Sequence, residues 1–177
     1  MRIISGKYKG RNILGFNIVG TRPTMDRVKE SMFAMIQGYL KNSICLDLFA
    51  GSGSLGIEAM SNGASQCYFV EKNNEIYDIL KKNLVGIDNC FLLKNDYLNA
   101  LNYFCQNRIK FDIIFLDPPY KLFLINDILD YIFNNDLLSS NGIIVCEYES
   151  ENIQCDCFEL IKDRQYGSKN IRIYRKL

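Results

Sequence analysis

The chain has 177 residues with 21 basic and 20 acidic side chains, is 48% apolar and 12% aromatic, and contains neither His nor Trp. That length and apolar content predict one globular domain with a continuous core and exclude a disordered chain. The lack of His excludes a Ser-His-Asp triad, a Cys-His nucleophile pair and His-ligated zinc or iron.

Residues 2–5 and 11–14 are short β-branched runs around the turn-rich, basic stretch 6–10, which predicts a hairpin with a basic tip. After Thr21, Arg22 and Pro23, the residues Met25, Val28, Met32, Phe33 and Ile36 recur at i, i+3, i+4 spacing and predict a helix over 24–39. Near-continuous apolar runs at 44–49, 67–70, 90–93, 111–116 and 142–146 have the pattern of strands buried on both faces. Amphipathic segments separate them. In the clearest, 75–85, Ile76, Ile79, Leu80 and Leu84 share one face and Gly86 follows as the residue past the helix end. Strand starts about 23 residues apart allow βαβ units and predict a mostly parallel, doubly wound α/β sheet that binds its ligand at the carboxyl ends of the strands. The runs at 157–162 and 170–175, joined by Gly167 and Ser168, predict an antiparallel C-terminal hairpin. Only residues 149–156 separate that hairpin from the fifth strand, fewer than a parallel crossover helix needs.

Seven cysteines, Cys45, Cys67, Cys90, Cys105, Cys146, Cys155 and Cys157, lie mostly within apolar runs and are expected as reduced, mostly buried small hydrophobes. Cys155 and Cys157 lack Cys-x-x-Cys spacing, so no metal site is expected. No apolar stretch reaches the ~18 residues of a membrane span, and residues 1–7 contain no signal-like apolar core. A soluble, cytoplasmic protein is the expectation. Charge is uneven: residues 1–30 carry seven basic and two acidic side chains, residues 162–177 six and one, and the middle eight and 17. Solvated faces account for single charge runs, but two basic ends around an acidic body point to a polyanion docked against the terminal segments.

Leu46-Asp47-Leu48-Phe49-Ala50 leads into Gly51-Ser52-Gly53-Ser54-Leu55-Gly56, a G-x-G-x-x-G turn between a strand and a helix. The second strand ends at Glu71, where a carboxylate can accept hydrogen bonds from ribose hydroxyls. A dinucleotide oxidoreductase and an S-adenosylmethionine (AdoMet) methyltransferase share both features, and a tight turn that binds nothing is a third reading. Asp117-Pro118-Pro119-Tyr120, at the end of the 111–116 strand, discriminates between them. An exocyclic base amine is a weak nucleophile because its lone pair is delocalised into the ring. The Asp117 carboxylate and the Pro118 carbonyl, each accepting one N–H, would orient that lone pair and stabilise charge developing on nitrogen. The two prolines fix φ, and Tyr120 offers a face on which an unstacked base can lie.

These blocks, with Phe69-Val70-Glu71 and Asn95-Asp96, resemble a class I AdoMet-dependent amino-methyltransferase. The blocks Met1-Arg2-Ile3-Ile4-Ser5-Gly6, Lys9-Gly10-Arg11 and Thr21-Arg22-Pro23-Thr24-Met25-Asp26-Arg27-Val28-Lys29-Glu30-Ser31-Met32-Phe33 narrow the resemblance to the RsmD family of bacterial 16S rRNA guanine-N2 methyltransferases. The resemblance implies a Rossmann-like class I fold in a single domain over 1–177, with a hairpin and helix extension (1–40) set against a catalytic core (41–177). It also implies AdoMet as cofactor and 16S rRNA in the small ribosomal subunit as partner; a monomer is the expectation. By the same resemblance, Asp47, Phe49, Ala50, Gly51, Ser52, Gly53, Glu71, Lys72, Asp96 and Tyr97 hold AdoMet. Within that set Glu71 binds the ribose, Asp96 and Tyr97 sit by the adenine, and Asp47 faces the methionine portion. Asp117, Pro118, Pro119 and Tyr120 hold the guanine amine, and Lys7, Lys9, Arg11, Arg22, Thr24 and Arg27 meet the RNA. N6-adenine or N4-cytosine methylation would use the same Asp-Pro-Pro-Tyr, and a non-catalytic RNA-binding protein would keep the fold. An oxidoreductase leaves that motif unexplained, and carbon-5 pyrimidine methylation needs a Cys nucleophile in a Pro-Cys motif, which is absent.

Overall fold

The computed structural model describes residues 1–16, 26–119 and 123–176. Its elements in chain order are α1 (Asp26–Leu40), β1 (Ile44–Asp47), α2 (Ser54–Ser61), β2 (Gln66–Val70), α3 (Asn74–Asn83), β3 (Cys90–Leu93), α4 (Tyr97–Gln106), β4 (Phe111–Leu116), α5 (Ile125–Asn134), β5 (Leu138–Tyr148), β6 (Phe158–Tyr166) and β7 (Lys169–Lys176). The strands form one sheet in the order β3-β2-β1-β4-β5-β7-β6, with β1 to β5 parallel and β7 antiparallel to both of its neighbours. This is the mostly parallel, doubly wound sheet that the strand spacing predicts, and the Rossmann-like class I methyltransferase fold that the resemblance implies.

Each face of the sheet carries its own apolar layer, which explains why the strands read as continuous apolar runs rather than alternating ones. Helices α1, α2 and α3 cover one face, through Val28, Met32, Ile36, Leu55, Ile57 and Leu80 packed on Cys45, Phe69, Ile113 and Val145. The Phe33 ring stacks on Phe115 with centroids 5.8 Å apart, seating α1 over the middle of the sheet. Helices α4 and α5 cover the other face, with Leu101, Phe104, Ile128 and Ile132 against Leu46, Ile114, Leu116 and Ile144. Because β1 and β4 are adjacent while the chain leaves them towards opposite faces, their carboxyl ends flank a crevice at the switch point of the sheet.

Three expectations change. The opening hairpin is short, an isolated bridge of Arg2 with Asn12 flanked by backbone hydrogen bonds between Ile3 and Arg11, Gly10 and Ile3, and Ile13 and Met1, and Ile3 and Ile13 are buried as its pattern requires. Strand β5 starts at Leu138 rather than near Gly142, its pairing with β4 interrupted by a bulge opposite Phe111 and Ile113. The short connection after β5 needs no helix, because β7 lies between β5 and β6 and the chain crosses it in irregular form. Glu151 in that connection accepts hydrogen bonds from the Ile125 and Asn126 amides (2.8 and 3.3 Å), capping α5, whose N-cap residue Leu124 supplies no side-chain acceptor. The expected helix over 24–39 is present from Asp26; its first residues lie outside the described set.

The opening segment is held by a buried ion pair. Lys29 on α1 and Glu58 on α2 lie 3.2 Å apart with 1% of each side chain exposed. The Glu58 carboxylate also accepts from the amides of Ile4 and Ser5 and from the Ser5 hydroxyl, and the Lys29 ammonium donates to the Arg2 carbonyl and Ser54 Oγ. Cys45, Cys67 and Cys146 are buried, no cysteine is in a disulfide, and burial pushes the Cys45 thiol up to about 12. Among the described residues no helix is long and apolar enough to cross a membrane, and no group of three His, Cys, Asp or Glu could hold a metal.

Candidate active site

The turn from β1 into α2 is shaped by three glycines with two different tasks. Gly51 and Gly53 have φ of 54° and 83°, the left-handed region that an L side chain rarely adopts, and the Gly53 amide closes the turn on the Ala50 carbonyl at 2.7 Å. Gly56 instead permits close packing: a Cβ there would fall 2.3 Å from the Phe69 ring, so α2 rests directly on β2. Asp47, 2% exposed at the end of β1, accepts the Gly56 amide at 3.0 Å and so lies beneath the turn. Phe49 is half-buried, while Ala50 and Ser52 are buried in the turn itself.

Glu71 links the second motif to the first. Its Oε2 accepts the Gly51 amide at 3.1 Å and its Oε1 the Asn73 amide at 2.7 Å, so the end of β2 and the glycine turn form one surface. Lys72 beside it is exposed. Asp96 caps α4 by accepting the Leu98 amide at 2.9 Å, and the first residue of that helix, Tyr97, sets its ring 5.6 Å from Phe49. These two aromatics, Glu71 and the glycine turn therefore share the carboxyl edge of β1, β2 and β3.

Asp117 and Pro118 follow β4 directly, half-buried and buried, and Pro119 is exposed. The pairings of Asp47 with Phe115 and of Leu116 with Cys146 set Asp117 one step beyond β4, past the end of β1 and beside the last residues of β5. Tyr120, Arg22 and Thr24 lie outside the described residues. Lys7, Lys9 and Arg27 are exposed. Arg11 is engaged in the fold, its guanidinium donating to the carbonyls of Asn83 and Val85 at 2.9 and 2.6 Å.

Burial pushes the Asp47 carboxyl up to about 7, with the nearby Glu71 charge acting in the same direction and the Gly56 hydrogen bond against it. The folded state thus binds a proton at Asp47 that the unfolded chain releases near pH 4, so this group's contribution to stability falls as pH rises from about 4 to about 7. Asp47→Asn keeps an acceptor for Gly56 and removes the titration. Urea midpoints between about pH 4.5 and 8 should therefore show the variant gaining stability on wild type as pH rises. Parallel pH curves would contradict the burial argument.

Several participants were not legible in the sequence. Lys29 counts toward the basic opening segment but is buried against Glu58, and Arg11 is tied to α3, so the outward positive charge there is smaller than composition implies. At the other end Arg172, Arg175 and Lys176 pair with Asp163, Glu159 and Asp136, and Lys169 is buried against Glu147 at the end of β5. Most of the second basic end is therefore neutralised within the fold. The signal available for Glu58 was a lone carboxylate between Ile57 and Ala59 in an apolar helix.

A family model described as conserved hypothetical protein 95 matches residues 1–175. The chain belongs to this family, the RsmD family. Among its RsmD-family relatives, the ribosomal RNA small subunit methyltransferase D of Haemophilus influenzae is 36% identical over 181 residues, covering 99% of this chain and 93% of its own length. The Escherichia coli protein of the same name is 33% identical over 154 residues, covering 86% and 76%. Among solved structures, YhhF of Escherichia coli superposes with a TM-score of 0.85 at 29% identity, covering 99% of this chain and 97% of its own. The RsmD-family assignment thus spans the opening segment as well as the sheet.

Proposed function

We propose that this chain transfers a methyl group from AdoMet to the exocyclic N2 of a guanine in 16S rRNA, acting as a monomeric single domain on the small ribosomal subunit. The observation that carries this reading is the Asp117-Pro118-Pro119 segment at the switch point, one strand from a glycine turn hydrogen-bonded to Glu71. The relatives named as small subunit methyltransferases support the rRNA substrate.

The residues present fit AdoMet. The left-handed glycine turn brings backbone close to a ligand, Glu71 presents a carboxylate at the end of β2, and Phe49 and Tyr97 offer aromatic surface for an adenine. When bound, AdoMet supplies an electrophilic methyl carbon on a sulfonium. Asp117 and the Pro118 carbonyl accept the two N–H bonds of the guanine amine, turn its lone pair towards that carbon and stabilise the positive charge that grows on nitrogen. AdoMet would supply the methyl carbon and carry away the electron pair of its carbon–sulfur bond, and Asp117 or water would take the proton that the methylated amine gives up. Tyr120 carries the base on its face, and Lys7, Lys9, Arg22, Thr24 and Arg27 meet the phosphate backbone.

The test is transfer from labelled AdoMet to small subunits lacking the modification, with naked 16S rRNA and DNA alongside, followed by nucleoside mass spectrometry. N2-methylguanosine on the subunit is the expected product. N6-methyladenine would move the assignment to another amine, and absence of label despite AdoMet binding would move it to a non-catalytic role.

A further inference from the structure

The opening segment reaches the glycine turn by a route that the motifs do not contain. Asn83, at the end of α3 and 4% exposed, makes three hydrogen bonds: its Oδ1 accepts the Leu14 amide at 2.9 Å, and its Nδ2 donates to the carbonyls of Leu14 at 3.0 Å and Ser52 at 2.9 Å. One buried amide therefore clamps the backbone of residue 14 to the backbone of the glycine turn. Arg11 strengthens the attachment through the carbonyls of Asn83 and Val85. The Leu14 side chain is 53% exposed, so past the buried Ile13 the chain is fixed by the polar clamp. Two residues later, the Phe16 ring lies at the turn: a Cβ built on Gly51 would stand 3.2 Å from Phe16 Cζ and 3.3 Å from Cε1. Gly51 is the residue whose amide Glu71 accepts.

We infer that Phe16 forms part of the wall of the AdoMet site and that Asn83 is the positioning residue that sets it there. This rests on the proposed AdoMet-dependent activity. The half-buried ring keeps surface to offer a ligand seated on the glycine turn, and the clamp spares that ligand the ordering of a free aromatic side chain. Residues 11–16 thereby serve both the basic hairpin and the cofactor turn.

Calorimetric titration of AdoMet and of S-adenosylhomocysteine into the full chain tests this, together with thermal melting of each variant. Phe16→Ala should weaken both ligands about tenfold with an unchanged melting temperature, and Phe16→Leu should fall between it and wild type. Asn83→Ala should weaken both by a similar factor, and the double variant should be no weaker than Asn83→Ala alone, because the amide acts through the ring. Wild-type affinity in Phe16→Ala would overturn the inference, and strictly additive losses would overturn the positioning role of Asn83. A wild-type chain that binds neither ligand would instead refute the AdoMet reading itself.

Discussion

Replacing Asp117 with Ala is expected to lower the rate of methyl transfer about 10²–10³-fold while leaving AdoMet affinity within about twofold of wild type. The separation follows from where the residue stands. Glu71 and the glycine turn follow β2 and β1, whereas Asp117 follows β4, the neighbouring strand across the crevice. A carboxylate that accepts an amine N–H only as nitrogen becomes positive acts in the transition state and contributes little to binding of the cofactor. Asp117→Asn retains an acceptor and loses the charge, so its rate should lie between Ala and wild type. Single-turnover kinetics on small subunits, with AdoMet titrated separately, measure both quantities. An unchanged single-turnover rate in Asp117→Ala would remove this residue from the mechanism.

The largest stability effect is expected at Glu58. Glu58→Ala leaves the Lys29 ammonium buried without its carboxylate and removes the acceptor of the Ile4 and Ser5 amides. Breaking a buried pair from one side costs about 3–5 kcal/mol, because the remaining charge stays desolvated. For a domain of this size that corresponds to a fall in melting temperature of roughly 6–20 °C. Lys29→Met combined with Glu58→Leu removes both charges and should recover most of the loss. Urea denaturation gives the free energies, and hydrogen exchange at the Ile4 and Ser5 amides reports whether the opening segment detaches before the sheet unfolds. A double variant no more stable than Glu58→Ala would show that the segment is held by something other than this pair.

What the sequence made legible and what it hid divide along a physical line. Strands β1, β2 and β4 are largely buried on both faces, so their apolar runs carry the signal locally, whereas the similar run of β3 lies at the sheet edge with Phe91 exposed; Gly51, Gly53 and Glu71 are marked by spacing along the chain. The bulge opposite Phe111 and the early start of β5 depend on pairing with β4, which no local pattern encodes. Lys29, Arg11 and Lys169 read as surface charge because their partners Glu58, Val85 and Glu147 are distant in sequence. Asn83 is polar at the end of an amphipathic helix and reads as solvent-facing. Its burial follows from the packing of residue 14 and the glycine turn on either side of it.

The attachments of the opening segment also order events during synthesis. Ile4 bonds a carboxylate 54 positions later and Arg11 a carbonyl 74 positions later. At elongation rates of about 5–20 residues per second, about 4–15 s pass between the making of Arg11 and of Val85. Through that interval Arg11 and Leu14 lack their partners Asn83 and Val85, which lie at and just beyond the end of α3. The Glu58 attachment needs only α1 and α2, whereas that of residues 11–14 is a later, long-range closure that waits for α3. A chain arrested before that helix is complete would carry residues 11–14 exposed to proteases and chaperones.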